Sequence, residues 1–498
     1  MPSDAWKPIE AYPLKRLDRL FADDPNRLAR FTHEIAGIYF DWSKTHLDDA
    51  LVNAFLELAN ERGFTRVRDA LFAGEIVNLS ELRPAEHLAE RGSGSSAAVQ
   101  LAAARRTRMR ALVDAIEARA FGPVTGLLHI GIGGSVLGPH LLVDALGRSA
   151  SRLQIRFLSN IDPQAFEEAI EPLDPATTLL VVASKTFTTA ETLANLSAAI
   201  DWLRENGVAD PYGRTIAVTA APEAALEAGI DESRILMFSE GVGGRYSLWS
   251  AVSVSAALAL GWDAFEELLE GAAEMDRHFR YSAPAENVPL LAAFADLLYT
   301  QKLGCQTRAV FPYDERLRLL VPYLQQLEME SNGKSATADG KPVGRPTAPV
   351  VWGGAGTDAQ HAVFQLLHQG TVTVPVEFIA VAEDESGLPE HHRQLLLNAF
   401  AQGAALMCGS KSDDAQRSYG GDRPSSTILL DRLDARILGA LLAFYEQRTF
   451  ANAVILGINP FDQFGVELGK RIARQLAEGE GEDQLDASTR ALMERAGV

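Results

Sequence analysis

The stretch LLVVASKTFTTAETLANL, Leu179–Leu196, decides the fold. Its apolar opening, with β-branched Val181 and Val182, reads as a buried strand. A hydroxyl-rich loop follows, and then a segment of helical character. A strand that runs through such a loop into a helix is the building unit of a parallel sheet. The loop also carries chemistry. Ser184, Thr186, Thr188 and Thr189 bring four hydroxyls, and Lys185 one cation, to a point just before a helix. That composition suits a phosphate monoester, whose oxygens take several donors and whose charge is met by lysine and the helix dipole. A merely solvated Ser/Thr loop is the competing reading.

The same texture extends on both sides. Strands are expected at Gly126–Ile130, Gln154–Leu158, Thr178–Ala183 and Thr215–Ala220, and again at Thr307–Phe311, Pro349–Gly353, Val374–Ala382 and Thr427–Leu430. Two α/β domains in tandem follow, with a boundary between Gly261 and Pro284. Residues 1–100 read as a helical extension, with Leu51, Ala54, Phe55 and Leu58 at helical spacing; it closes in the small, polar run Arg91–Ala98. The expected division is 1–100, 101–275, 276–478 and a charged tail, 479–498. The segment Asp462–Leu476 reads as a helix, and the polar loop Gly409–Ser426 is long enough to be functional.

Composition limits the partners. With 46 basic and 66 acidic residues the net charge is −20, which argues against nucleic-acid backbones and anionic membranes. An anionic substrate would need a local cationic pocket. Cys305 and Cys408 are the only cysteines, so a disulfide framework or Cys-rich metal site is not expected and a reducing, cytosolic compartment fits. No Cys/His/carboxylate cluster has metal-ligand spacing. No apolar run is long enough to span a bilayer, and the N-terminus lacks a signal-peptide core.

Four further stretches could carry chemistry. VPYLQQLEMESNGKSATADGK, Val321–Lys341, runs from an apolar, helix-compatible segment into an Asn-Gly turn, with Glu330 where order meets the turn; Glu330 is the candidate general base. HIGIGGSVLGPHLL, His129–Leu142, is neither a Rossmann fingerprint, because Val136 replaces the third glycine, nor a Walker A loop, because Pro139 follows Gly138. It leaves Gly133, Gly134 and Ser135 at a helix N-terminus, a place that favours an anion. GVGGRYSLWSAVSVSAAL, Gly241–Leu258, carries Arg245, either a buried ion-pair partner or an active-site cation. In VVWGGAGTDAQHAVFQLLHQG, Thr357 or Asp358 can cap a helix with His361 in its first turn. FDQFGVELGKRIARQL, from Phe461, places Gln463 and Lys470 seven apart, on one face of a helix.

Together these stretches resemble the phosphoglucose isomerase family of the sugar-isomerase (SIS) fold, from about Gly126 to Gln475, with Phe72–His87 also similar. Gly243–Ser250 (GGRYSLWS) and Phe461–Lys470 (FDQFGVELGK) are its most specific signatures. The resemblance implies two tandem doubly wound SIS domains with parallel sheets, plus helical N-terminal and C-terminal extensions. It further implies a cofactor-independent aldose–ketose isomerase acting on glucose 6-phosphate and fructose 6-phosphate. Glu330 would move a proton between C2 and C1, Arg245 steady the enediolate, and His361 and Lys470 serve ring opening. Ser184, Lys185, Thr186 and Thr189 match the phosphate site, with Gly134 and Ser135 nearby and Gln463 contacting substrate. The family is homodimeric, and its QHA histidine enters the partner's site. Departures are Val136, where many members have Asp, Ser253 in place of a common Gly, and Asp358-Ala359 in place of Asn-Gly; none removes a catalytic residue.

The chemistry asks for little else. Aldose–ketose interconversion needs a weak base near a carbon acid, a cation beside the developing oxyanion and exclusion of water. Two other functions compete. A sugar-phosphate sensor would keep the SKTFTT loop but could lose Glu330, Arg245 or Lys470, and a broader isomerase would also accept mannose 6-phosphate.

Overall fold

Val181 and Val182 lie at the centre of a five-stranded sheet, buried on both faces as their unbroken apolar run requires. The computed structural model describes residues 4–148, 151 and 153–498, so residues 1–3 of the N-terminal extension lie outside it. The described strands are, in chain order, β1 (Thr32–Ile35), β2 (Ile38–Asp41), β3 (Ile76–Asn78), β4 (Arg83–Pro84), β5 (Gly126–Gly131), β6 (Gln154–Leu158), β7 (Thr178–Ala183), β8 (Thr215–Thr219), β9 (Ile235–Met237), β10 (Thr307–Tyr313), β11 (Val350–Gly353), β12 (Val376–Val381) and β13 (Ser425–Leu430). All eight expected strands are present, Gln154–Leu158 and Thr178–Ala183 with unchanged ends and the others with ends shifted by a residue or two.

The first sheet has the order β6-β5-β7-β8-β9 and is parallel throughout. After β5 the chain crosses to β6 on one side, and β7 then pairs on the other. The loops that follow β5 and β7 therefore part in opposite directions and open a crevice at the carboxyl ends of the strands. Leu128, Ile130, Leu180, Val182 and Ala217 pack one face against Leu196, Ala199, Ile200 and Leu203 of the helix Ala190–Glu205.

The second sheet has the order β1-β2-β13-β12-β10-β11. β10–β13 are parallel, as expected; Phe311, Tyr313 and Phe378 pack there against Phe364 and Leu367. To the expected helical N-terminal extension the structure adds the hairpin β1–β2, which joins β13 antiparallel through Thr427↔Asp41 to Leu430↔Ile38. Its two-residue turn is Ala36-Gly37, both with positive φ (54° and 75°), as the right-handed strand twist demands. Ala in that conformation is uncommon, so the hairpin carries no Asn-Gly signal in the sequence.

The helix Ala435–Leu456 is buried at every position except Arg436. It crosses the helix Trp262–Tyr281 closely enough that a Cβ on Gly439 would lie 2.0 Å from the Leu268 carbonyl oxygen. Its polar residues are paired, as burial demands. Glu446 takes Arg91 (2.5 Å) and the Trp249 indole N–H (2.8 Å), and Arg91 also holds Asp276 (2.7 Å). The chain divides into two compact units, Met1–Pro460 and Phe461–Val498. In the second, the helix begins at Glu467, not Asp462, because Phe464–Val466 forms a 3-10 turn first; a further helix, Ala487–Ala496, lies in the charged tail. Among the described residues no helix is long and apolar enough to cross a membrane.

Candidate active site

The segment carrying Glu330 begins as the helix Leu320–Leu324 and widens into a π-helix, Gln325–Glu330, a rare geometry enriched at functional sites. Leu324 and Leu327 bury its apolar side. The helix end is closed by Lys334, whose ammonium donates to the carbonyls of Glu330 (2.7 Å) and Ser331 (2.8 Å), the orphan acceptors of a last turn. Glu330 itself stays 20% exposed, and its Oε2 lies 3.5 Å from Nη1 of Arg245, whose side chain is 1% exposed. A partly open carboxylate thus faces a buried cation.

Arg245 lies in the 3-10 helix Gly244–Trp249 and is held on several sides. Its Nε donates to Ser331 Oγ (2.6 Å) and its Nη2 to the Pro460 carbonyl, while the Tyr246 ring lies 5.4 Å from the guanidinium. Ser331 Oγ is also 2.9 Å from the Tyr246 hydroxyl, so the residue after the carboxylate locks the residue pair that carries the cation. Arg245 is therefore a buried ion-pair partner, the first of the two readings its sequence allowed.

The Gly-rich loop after β5 reaches this point. Gly133–Ser135 forms a 3-10 turn, and the following helix, Leu137–Leu146, starts one residue later with Val136 as its N-cap. A Cβ on Gly134 would lie 2.1 Å from both the carbonyl carbon and the oxygen of Gly244 and 2.5 Å from the Arg245 nitrogen. Only a glycine lets the two backbones touch. The Ser247 hydroxyl donates to the Gly134 carbonyl (3.2 Å). Behind the loop, buried His129 bridges Ser255 Oγ (2.6 Å) and the Ser135 carbonyl (2.7 Å), and burial pushes its imidazole down to about 4.

The loop after β7 supplies the hydroxyls. Ser184 Oγ lies 3.2 Å from Thr189 Oγ1 and Thr186 Oγ1 2.7 Å from Thr188 Oγ1. Thr189 is the N-cap of the sixteen-residue helix Ala190–Glu205 and makes no side-chain cap bond to it, leaving the dipole's positive end beside the hydroxyls. The Lys185 ammonium, by contrast, donates to the carbonyls of Glu240 (2.7 Å) and Val242 (3.0 Å), tying this loop to the segment that leads into Arg245. Burial, then the nearby Arg83 charge, pushes it down to about 8.

The structure thus brings Glu330, Arg245 and Gly134 together at the first sheet's crevice, with Ser184, Lys185, Thr186 and Thr189 on the neighbouring loop and Ser135 in the Gly-rich turn. His361 is not among them. It is exposed, on the second turn of the helix Gly356–Gln369; Ala355 is the N-cap without a side-chain bond, so neither Thr357 nor Asp358 caps it. Gln463 and Lys470 belong to the separate unit Phe461–Val498. They do not share a helix face, because Gln463 precedes the 3-10 turn and Lys470 follows it. Two residues were missed. Ser331 follows the carboxylate directly, and Gln326, whose Nε2 would lie 2.8 Å from a Cβ on Gly133, stands one helical turn before it; spacing from the carboxylate was the available signal. Of the departures, Ser253 is accommodated by donating its buried hydroxyl to the Leu248 carbonyl (2.6 Å).

Comparison with known proteins gives one consistent picture. The family model "Phosphoglucose isomerase" matches residues 41–493. The glucose-6-phosphate isomerase of Rhizorhabdus wittichii is 62% identical over 99% of this chain and 98% of its own, and that of Zymomonas mobilis 56% identical over 99% and 97%. The crystal structure of a glucose-6-phosphate isomerase from Chlamydia trachomatis superposes with a TM-score of 0.91 at 32% identity, covering 100% of this chain and 99% of that one.

Proposed function

The chain belongs to the phosphoglucose isomerase family, and from that premise we propose how its residues interconvert glucose 6-phosphate and fructose 6-phosphate, a step of glycolysis and gluconeogenesis. The reaction moves one proton between C2 and C1 of the open-chain sugar. Glu330 takes the C2 proton of the aldose, the electron pair moves toward the C1 carbonyl oxygen, and an enediolate forms. Returning the proton to C1, while the O2 hydroxyl proton passes to O1 and the electron pair left on O2 closes the C2 carbonyl, gives the ketose. The observation that carries this assignment is the Glu330 carboxylate 3.5 Å from buried Arg245. The cation stands where negative charge develops and, with little water around it, acts strongly.

The phosphate end is assigned to Ser184, Thr186 and Thr189, with the Ala190–Glu205 helix N-terminus and Ser135 beside them; Lys185 holds that loop to the Arg245 segment. His361 and Lys470 are assigned to ring opening and Gln463 to substrate contact, on family resemblance. The exposure of His361 supports a homodimer in which it serves the partner's site. A cytosolic location and the division 1–100, 101–275, 276–478 and 479–498 complete the proposal. A coupled assay of fructose 6-phosphate conversion, with mannose 6-phosphate beside it, tests the function. Turnover of the first sugar distinguishes an isomerase from a sugar-phosphate sensor, and turnover of both would make it the broader isomerase.

A further inference from the structure

Glu330 is one of three alternating polar residues, Glu328, Glu330 and Asn332, in the π-helical turn and its exit. In a helix of about four residues per turn, positions two apart point to nearly opposite sides. Glu328 and Asn332 accordingly face the interior, at 6% and 5% exposure, while Glu330 faces Arg245. Both interior residues are anchored. Asn332 Nδ2 donates to the Thr449 carbonyl (3.0 Å). Glu328 receives Arg308 Nη2 on both carboxylate oxygens.

Arg308 is no loose partner. It lies on β10, a central strand, and its Nη1 also donates to Glu377 Oε1 (3.3 Å) on the adjacent β12. Glu377 in turn takes Arg448 Nη1 (2.6 Å) and the Tyr445 hydroxyl (2.7 Å), and Arg448 Nε donates to Asp296 (2.6 Å). The network thus joins Glu328 to two strands and to the buried helix Ala435–Leu456.

We propose that the Arg308–Glu328 ion pair is a positioning device: it fixes the roll of the π-helical turn about its axis and so sets where the Glu330 carboxylate points. The proposal rests on Glu330 being the base. Glu328 touches no reacting atom and is a positioning residue. Asn332, four residues on and on the same interior face, adds a second anchor past Glu330, so that the segment is held on both sides of the carboxylate along the chain.

Charge in the network makes the test practicable. Asp296, Glu328 and Glu377 face Arg308 and Arg448, three carboxylates against two guanidiniums. Removing the Glu328 charge leaves two against two, so no uncompensated buried charge remains to unfold the variant. Glu328→Leu keeps bulk and burial while deleting the anchor. We expect kcat for fructose 6-phosphate to fall tenfold or more, since displacement of a catalytic group by about 1 Å costs up to ~10²-fold. KM should stay within twofold, and solvent exchange of the C2 proton should fall in step with kcat. Circular dichroism and thermal unfolding establish that the variant is folded at the assay temperature. In a Glu330→Gln background the same substitution should cause no further loss, since it acts through the carboxylate already removed.

A folded Glu328→Leu protein with kcat within twofold of the parent would overturn the proposal. So would a rise in KM with kcat unchanged, or an equal loss in the Glu330→Gln background. Should Glu328→Leu fail to fold, Glu328→Gln, which retains one acceptor oxygen, decides by the same readouts, with a threefold loss of kcat as its threshold. Failure of the base assignment would appear separately, as a Glu330→Gln enzyme that keeps its rate.

Discussion

Replacing Gly134 with alanine tests how closely the Gly-rich loop must approach the arginine segment. The added methyl would sit 2.1 Å from the carbonyl carbon of Gly244, against about 3.5 Å for a relaxed carbon–carbon contact. Both obstacles are backbone, so no rotamer change relieves the clash, and the two segments must separate by roughly 1 Å. Arg245, next in the chain, moves with Gly244. Overpacking of this kind costs about 1–3 kcal/mol of stability, and a shift of that size in a charge-stabilising group costs up to ~10²-fold in rate. Gly244 supplies the control, because a Cβ built there meets nothing within 4 Å. Steady-state kcat/KM and urea unfolding should therefore separate the two: Gly134→Ala loses about two orders of magnitude in activity and Gly244→Ala stays near the parent. Equal effects from the two substitutions, or parental activity in Gly134→Ala, would refute the contact as the reason for the glycine.

Three other outcomes are expected. Lys185→Met should raise KM and lower kcat together, because its ammonium braces the phosphate loop to the Glu240–Val242 carbonyls; a change in KM alone would direct that charge to the phosphate instead. His129 titrates at about 4 when folded, against 6.5 for an ordinary histidine, so between those values the unfolded chain binds more protons and stability falls as pH drops from 6.5 toward 4. The fall down to pH 5 is about 2 kcal/mol, and His129→Asn should lose that much of the difference in unfolding free energy between pH 7.5 and pH 5; an unchanged difference would assign the acid sensitivity elsewhere. Mixing His361→Ala with Glu330→Gln subunits should restore part of the activity through hybrid dimers with one intact site, whereas mixtures that stay inactive after confirmed exchange would place each site within one chain.

Central parallel strands such as β7 and β8 were legible because a short, mostly apolar run, buried at every position, ends at a loop, whereas the edge strand β6 alternates exposed Gln154 and Arg156 with half-buried Ile155 and Phe157. The β1–β2 hairpin was not, since its Ala36-Gly37 turn carries a weak signal and its strands sit at a sheet edge, where tertiary pairing decides. Glu330, Arg245 and the hydroxyl loop could be named from composition and spacing, because turn residues and charged groups at strand ends are where a scaffold exposes side chains. Their supports could not. Ser331, Gln326 and the Arg308–Glu328 pair contribute only through contacts between segments that the chain separates by 20 residues or more, and a local window holds no record of them. The misplacement of Gln463 and Lys470 on one helix face has a local origin instead: seven-residue spacing presumes a continuous helix, and a 3-10 turn interrupts it.

The most direct measurement is solvent deuterium exchange at C2 of glucose 6-phosphate by Glu330→Gln. The substitution keeps size and polarity but removes the base, so substrate should still bind while isomerisation falls by roughly 10⁴, the upper part of what general-base assistance supplies. Exchange at C2 should vanish with it, since the enediolate cannot form even where ring opening survives. A folded, substrate-binding Glu330→Gln protein that still exchanges the C2 proton at a near-parental rate would contradict the assignment and place the base on another residue.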